Sequence, residues 1–214
     1  MASSFKNEDG AKIVYDMIQA IQDNKQYLSD IDGLIGDGDH GINMNKGFTM
    51  CKEALDQEPG NMSASLKTLS NVLMEDIGGS MGPLYGCIFR AMFRASKGKE
   101  DIDKDVFKEM ITKAEEGIRN IGGAEVGDKT LLDTVAPAAA AYCAAVDGGD
   151  DFATALTKMK AAAEVGRDST KDLVAKKGRA SRLGERSRGV LDAGATSCCL
   201  LLCTIADSII SLLQ

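Results

Sequence analysis

Apolar residues recur at the helical period along almost the whole chain. Ile13, Val14, Met17, Ile18 and Ile21 share one face of a first segment, and Met44, Phe48, Cys51 and Leu55 share one face of a second. A third segment opens at Ser63, which suits an N-cap, carries Leu66, Leu69, Leu73 and Ile77, and ends at Gly78-Gly79. A fourth begins near Pro83. A fifth begins near Asp103, with Val106, Phe107, Met110, Ala114, Ile118 and Ile121 in phase, and ends at Gly122-Gly123. Three more run from about Thr130 to Val146, from about Asp151 to Leu173, and from about Gly194 to the C-terminus. Strand alternation is not evident. The pattern predicts an all-α chain of eight helices joined by short turns, hence antiparallel neighbours in an up-and-down bundle or a closed ring; periodicity does not choose between them. No internal repeat or linker divides the sequence, so one domain over residues 1–214 is expected.

Composition supports that picture and narrows the chemistry. Three prolines and no tryptophan among 214 residues favour helix, and a net charge of −7 argues against a general nucleic-acid binder. Cys51, Cys87, Cys143, Cys198, Cys199 and Cys203 all fall in apolar helical stretches without C-x-x-C spacing and read as small buried hydrophobes. The polar stretch from Met1 to Gly10 has no apolar core of a secretory signal, so a reducing cytoplasm is the expected compartment. Cys198 to Leu213 is the most apolar run; Thr204, Asp207, Ser208 and Ser211 interrupt it, and a buried core helix is expected there, not a membrane span.

Asp32-Gly33-Leu34-Ile35-Gly36-Asp37-Gly38-Asp39-His40-Gly41 places three carboxylates and four glycines between two helices. Carboxylates that close repel unless a cation neutralises them, and glycines let the backbone converge the oxygens. The EF-hand pattern fails at Gly41 and lacks its terminal glutamate, so magnesium shared with phosphate oxygens fits better than calcium; a solvated Asp/Gly turn is the alternative. His40, the one histidine, sits in the same loop and cannot by itself make a zinc site or complete a nucleophilic triad. Gly78-Gly79-Ser80-Met81-Gly82-Pro83 leads into a helix and either holds phosphate on free N–H groups or merely stops one helix and starts the next. Gly127-Asp128-Lys129-Thr130 superficially resembles a P-loop, but Asp128 separates glycine from lysine and no strand precedes it, which argues against a Walker site. From Lys176 to Gly194 six basic residues face two acids, leaving the remainder at −11; such concentrated charge suits an anionic ligand or partner, or a solvated loop.

Taken together, I-G-D-G-D-H-G-I-N-M-N-K-G-F, G-G-S-M-G-P-L-Y-G, G-D-K-T, and K-G-R-A-S-R-L-G-E-R-S-R-G followed by D-A-G-A-T-S closely resemble the dihydroxyacetone kinase L-subunit family. The resemblance implies an eight-helix up-and-down barrel with ADP or ATP and magnesium, two ions, held by loops at one end. It implies Asp32, Asp37 and Asp39 as magnesium ligands, with His40, Gly41, Ile42 and Asn43 lining the nucleotide site. Ser80 and Met81 would approach the phosphates, Gly122 and Leu131 would flank the nucleotide, and Arg179 with Asp192-Ala193-Gly194 would complete the site, Arg179 stabilising charge in transfer. This sequence departs from the family's usual residues at Ser80-Met81, Ala193 and Val126; Met81 lacks the hydroxyl of the more usual serine. The resemblance further implies a separate K subunit that holds the ketose covalently through a histidine, and a phosphotransferase-linked M subunit that recharges tightly held ADP. Rival readings are a nucleotide-sensing regulatory subunit, a paralogue for another ketose such as erythrulose, and the related fatty-acid kinase domain, whose D-G-D-T-G-T-N-M is replaced here by Asp37-Gly38-Asp39-His40-Gly41-Ile42-Asn43-Met44.

Overall fold

In the computed structural model, residues 2–214 are described; Met1, the first residue of the polar N-terminal stretch, lies outside them. The periodic segments form α-helices: α1 (Ala11–Asp23), α2 (Lys25–Ile35), α3 (His40–Gln57), α4 (Met62–Asp76), α5 (Met81–Ser96), α6 (Lys104–Gly122), α7 (Leu132–Asp147), α8 (Phe152–Ser169) and α9 (Ala193–Leu212). Their ends follow from local chemistry. Asp103, Asp151 and Asp192 cap α6, α8 and α9 by accepting backbone N–H groups of the first turn, and Gly123 ends α6 in the left-handed conformation at φ 53°. The cap of α4 is Asn61, which accepts from the Ala64 N–H, and not Ser63; the Ser63 hydroxyl bonds Ser96 instead.

The helix between the first two predicted segments is α2. Its apolar face is Leu28, Ile31 and Ile35, three positions among charged neighbours. Asn24 separates it from α1 with φ −104° and ψ 9°, yet the hydrogen-bond ladder nearly continues, from the Asn24 N–H to the Ala20 carbonyl and from the Leu28 N–H to the Asn24 carbonyl. Both α1 and α2 pack on α3 and α9, so the bent pair fills one place. The other helices pack in chain order, and α9 closes on α1. Among the described residues nine helices thus occupy eight places in a closed ring, whose interior is filled by aliphatic side chains from every helix and by the Phe107–Tyr142 edge-to-face pair at 5.0 Å.

Two strands escape the sequence pattern: β1 (Ser4–Lys6) pairs antiparallel with β2 (Asp101–Asp103), Phe5 opposite Ile102. Three residues are too few to display an alternation; only Phe5 and Ile102 point inward. By length and composition α9 could cross a membrane, but here it packs against α1, α7 and α8 with most of its surface covered. All six cysteines are free; Cys51, Cys198 and Cys199 are buried, and Cys87, Cys143 and Cys203 are half-buried.

Candidate functional site

The acidic loop is built where α2 ends and α3 begins. Asp32 lies in the last turn of α2, Asp39 precedes the first residue of α3, and Gly36 and Gly38 fold the backbone between them, Gly38 at φ 76°. One oxygen from each of Asp32, Asp37 and Asp39 falls within 4.8 Å of the other two. Arg179 is the counter-charge: its guanidinium pairs with Asp37 and reaches Asp39 Oδ2 at 3.3 Å. Partial desolvation pushes the Asp37 carboxyl up, but the hydrogen bond and charge of Arg179 outweigh it and hold the group below the usual carboxylate range. Three hard oxygen donors with one guanidinium between them retain an excess of negative charge, a donor set that fits magnesium.

These residues form one wall of a cavity of about 830 Å³. Three helix N-termini open onto it, those of α3 at His40, α5 at Met81 and α9 at Ala193. Asp39 and Ser80, which precede α3 and α5, make no side-chain cap; the His40 N–H donates to Asp32 Oδ2 at 3.4 Å, and the first-turn N–H groups of α5 meet no side-chain acceptor, which leaves them for an anion. The lining also has an apolar part, Leu84, Ile118, Ile121 and Leu131. Ile121 is in phase with the core face of α6 yet is half exposed, because at the last turn that face meets the cavity.

Most residues singled out in the sequence come together here. Asp32, Asp37, Asp39, His40 and Asn43 line the cavity from one side, Ser80, Met81, Gly122 and Leu131 from another, and Arg179, Asp192, Ala193 and Gly194 close it. Gly41 and Ile42 are placed otherwise. Gly41 is buried against α2, where any side chain would strike the Lys25 carbonyl, and Ile42 is 53% exposed to solvent outside the cavity.

Further residues complete the site. The His40 Nε2 is 2.8 Å from the Ser197 hydroxyl, which is 2.6 Å from the Tyr85 hydroxyl; Tyr85 in turn donates to the Gly194 carbonyl at 3.0 Å. This chain of contacts ties α3, α5 and α9 together at the cavity floor. Burial pushes the His40 imidazole below its ordinary range, against the opposing pull of Asp32 and Asp39. Burial pushes the Asp192 carboxyl up to about 6, although it accepts the Ala195 N–H at 2.7 Å. Tyr85 and Ser197 lie inside the motifs G-P-L-Y-G and D-A-G-A-T-S, so position in a motif was the available signal. Of the basic stretch, Arg179 and Lys177 border the cavity, whereas Lys176 pairs with Asp128 and Arg188 with Glu185 and the Asp172 carbonyl. Lys129 borders it too, but its ammonium is bonded to backbone carbonyls.

Residues 34–207 match the DAK2 domain family. The ADP-binding subunit DhaL of PEP-dependent dihydroxyacetone kinase 1 from Listeria innocua is 41% identical over 187 residues, covering 87% of this chain and 88% of that protein. The corresponding subunit from Escherichia coli is 35% identical, covering 85% and 87%. Among solved structures, the dihydroxyacetone kinase from C. freundii in complex with AMP-PNP and Mg2+ superposes with a TM-score of 0.70 at 21% identity over 97% of this chain. This chain spans 35% of that longer protein, and the likeness establishes the shared all-α fold. The chain therefore belongs to the DAK2 domain family, among the L subunits of dihydroxyacetone kinases.

Proposed function

We propose that the chain, as a single unit over residues 1–214, holds ADP or ATP with magnesium in this cavity. It passes a phosphoryl group to dihydroxyacetone, or a related small ketose, bound on a separate K subunit. The observation that carries this reading is the meeting of Asp32, Asp37 and Asp39 with Arg179 at a cavity onto which three helix N-termini open. The apolar wall of Leu84, Ile118 and Leu131 suits a base, and the acidic wall suits phosphates only with cations between.

Asp32, Asp37 and Asp39 would hold the magnesium, two ions as the family resemblance implies. Bound there, magnesium supplies positive charge to the phosphate oxygens. N–H groups at Ser80, Met81 and Ala193 orient those oxygens, and Met81 leaves this work to the backbone and to the Ser80 hydroxyl. Arg179 stabilises charge on the transferring group once a cation takes over its place beside Asp37. His40 is half-buried and its ring is engaged with Ser197, so the chain's one histidine is not offered for ketose capture. That need for a second protein supports a K-type partner. The kinship with ADP-binding subunits supports tightly held ADP recharged by an M-type phosphoryl donor.

Labelled nucleotide and magnesium test this. The purified chain alone leaves dihydroxyacetone unphosphorylated, and a cognate K subunit restores transfer of one phosphoryl group per chain, with cycling only when a phosphorylated M subunit is added. Ketose phosphorylation by the isolated chain would overturn the partner assignment; steady cycling on free ATP with K alone would overturn the M-linked step. Erythrulose in the same assay distinguishes the ketoses.

A further inference from the structure

Lys129 is 1% exposed, and at φ 62° it is the non-glycine residue with a left-handed backbone among the described residues. Such a conformation persists where the surroundings over-determine it. Here they do. The Lys129 ammonium donates to the carbonyls of Thr170 at 2.7 Å, Ser187 at 2.8 Å, Val190 at 2.5 Å and, more weakly, Leu173 at 3.3 Å. Thr170 and Leu173 lie where the chain enters the basic stretch after α8, and Ser187 and Val190 where it leaves towards α9. One cation therefore gathers both strands of the loop's neck.

Neighbouring contacts repeat the pattern. Asp128 binds Lys176 twice, its carboxylate accepting the ammonium at 3.1 Å and its carbonyl accepting the backbone N–H at 3.1 Å. Across the neck the Gly189 N–H donates to the Lys171 carbonyl at 2.7 Å, and the Ala175 N–H to the Ser187 hydroxyl at 2.9 Å. Beyond the neck the loop forms a 3-10 segment, Arg179–Ser187, lying over α2, and Arg179 at its start meets Asp37 and Asp39. With its N–H donors directed at carbonyls, Lys129 is not free to hold a phosphate as a P-loop lysine does. A compact ammonium suits converging carbonyl oxygens; the broad planar fork of arginine does not.

We propose that Lys129 is a positioning residue for phosphoryl transfer: it cinches the neck of the loop from Thr170 to Val190 so that Arg179 is delivered to the acidic side of the cavity. What Arg179 does there rests on the kinase reading above; the cinch itself does not.

The test compares wild type, Lys129→Met, Arg179→Ala and the double variant. Without nucleotide or partner, Lys129→Met is expected to raise amide exchange across residues 171–190 by about tenfold or more while the helices of the ring keep their protection. Unchanged exchange there would overturn the cinch. Should Lys129→Met fail to fold, Lys129→Arg takes its place: charge is kept, the carbonyls are poorly met, and the same selective rise is expected, with unchanged exchange again overturning the proposal. In single-turnover transfer with a cognate K subunit, Lys129→Met should slow the reaction as much as Arg179→Ala, with KM for the ketose unchanged, and the double variant should be within about twofold of either. Multiplying losses would overturn action through Arg179, as would a loss confined to ADP affinity. Transfer absent even from wild type would count against the kinase reading and leave the exchange result to decide the cinch.

Discussion

His40 Nε2 and the Ser197 hydroxyl, 157 residues apart in sequence, meet at 2.8 Å and join the first turn of α3 to the first turn of α9. Ser197 is also 2.6 Å from the Tyr85 hydroxyl, and removing it orphans a half-buried imidazole nitrogen and a buried phenol. Ser197→Ala should therefore cost about 1 to 3 kcal/mol in urea denaturation, and Tyr85→Phe, which leaves the His40 contact in place, about 1 kcal/mol. Losses below about 0.5 kcal/mol for both would show that these contacts do not hold the helix ends together.

Gly41 separates shape from chemistry in the same loop. A Cβ there would overlap the Lys25 carbonyl and come within 2.6 Å of Ser29 Oγ and 2.7 Å of Ser29 N, so α2 must move away from α3. Gly41→Ala is expected to destabilise by about 2 to 3 kcal/mol. Gly78, which has open space around the corresponding position and an ordinary φ, should tolerate alanine within about 0.5 kcal/mol. Equal melting temperatures for the two variants would contradict the close approach.

Asp192 gives the pH dependence. Its folded pKa is raised to about 6 by burial, above its ordinary 3.8, so the folded state binds the proton more tightly. That contribution to stability is fully present below the unfolded value and is lost as pH rises through the folded one, roughly 3 kcal/mol in all. His40 works in the opposite sense: its folded pKa is lowered by burial, so its protonation on acidification destabilises the fold. Asp192→Asn keeps His40 and retains an oxygen to accept the Ala195 N–H, so comparison with wild type isolates the carboxyl. The variant's stability relative to wild type should rise by roughly 2.5 kcal/mol between pH 4 and pH 8. A difference independent of pH would show that Asp192 is not a buried carboxyl of this kind.

Helices α1 and α3 to α9 were legible because apolar residues recur in them at the helical period. The α2 helix was not, since Leu28, Ile31 and Ile35 stand among five polar or charged residues and Asn24 hides a helix boundary inside a nearly continuous ladder. For the site, residue type identified the acidic loop and the basic stretch separately. Nothing local pairs Arg179 with Asp37, 142 residues away; only resemblance to a family placed them together. Lys129 was set aside as a failed P-loop lysine because its partners are backbone carbonyls, which leave no trace in the identity of Thr170, Ser187 or Val190.

If Asp32, Asp37 and Asp39 form the magnesium end of a nucleotide site, calorimetric titration of ADP into nucleotide-free protein will register it. With magnesium present, Asp37→Asn and Asp39→Asn should each weaken ADP binding by on the order of tenfold or more, about 1.4 kcal/mol, and omission of magnesium should weaken wild type similarly and narrow its gap from the variants. Unchanged ADP affinity in magnesium for both variants would contradict that role and reduce the acidic loop to a turn.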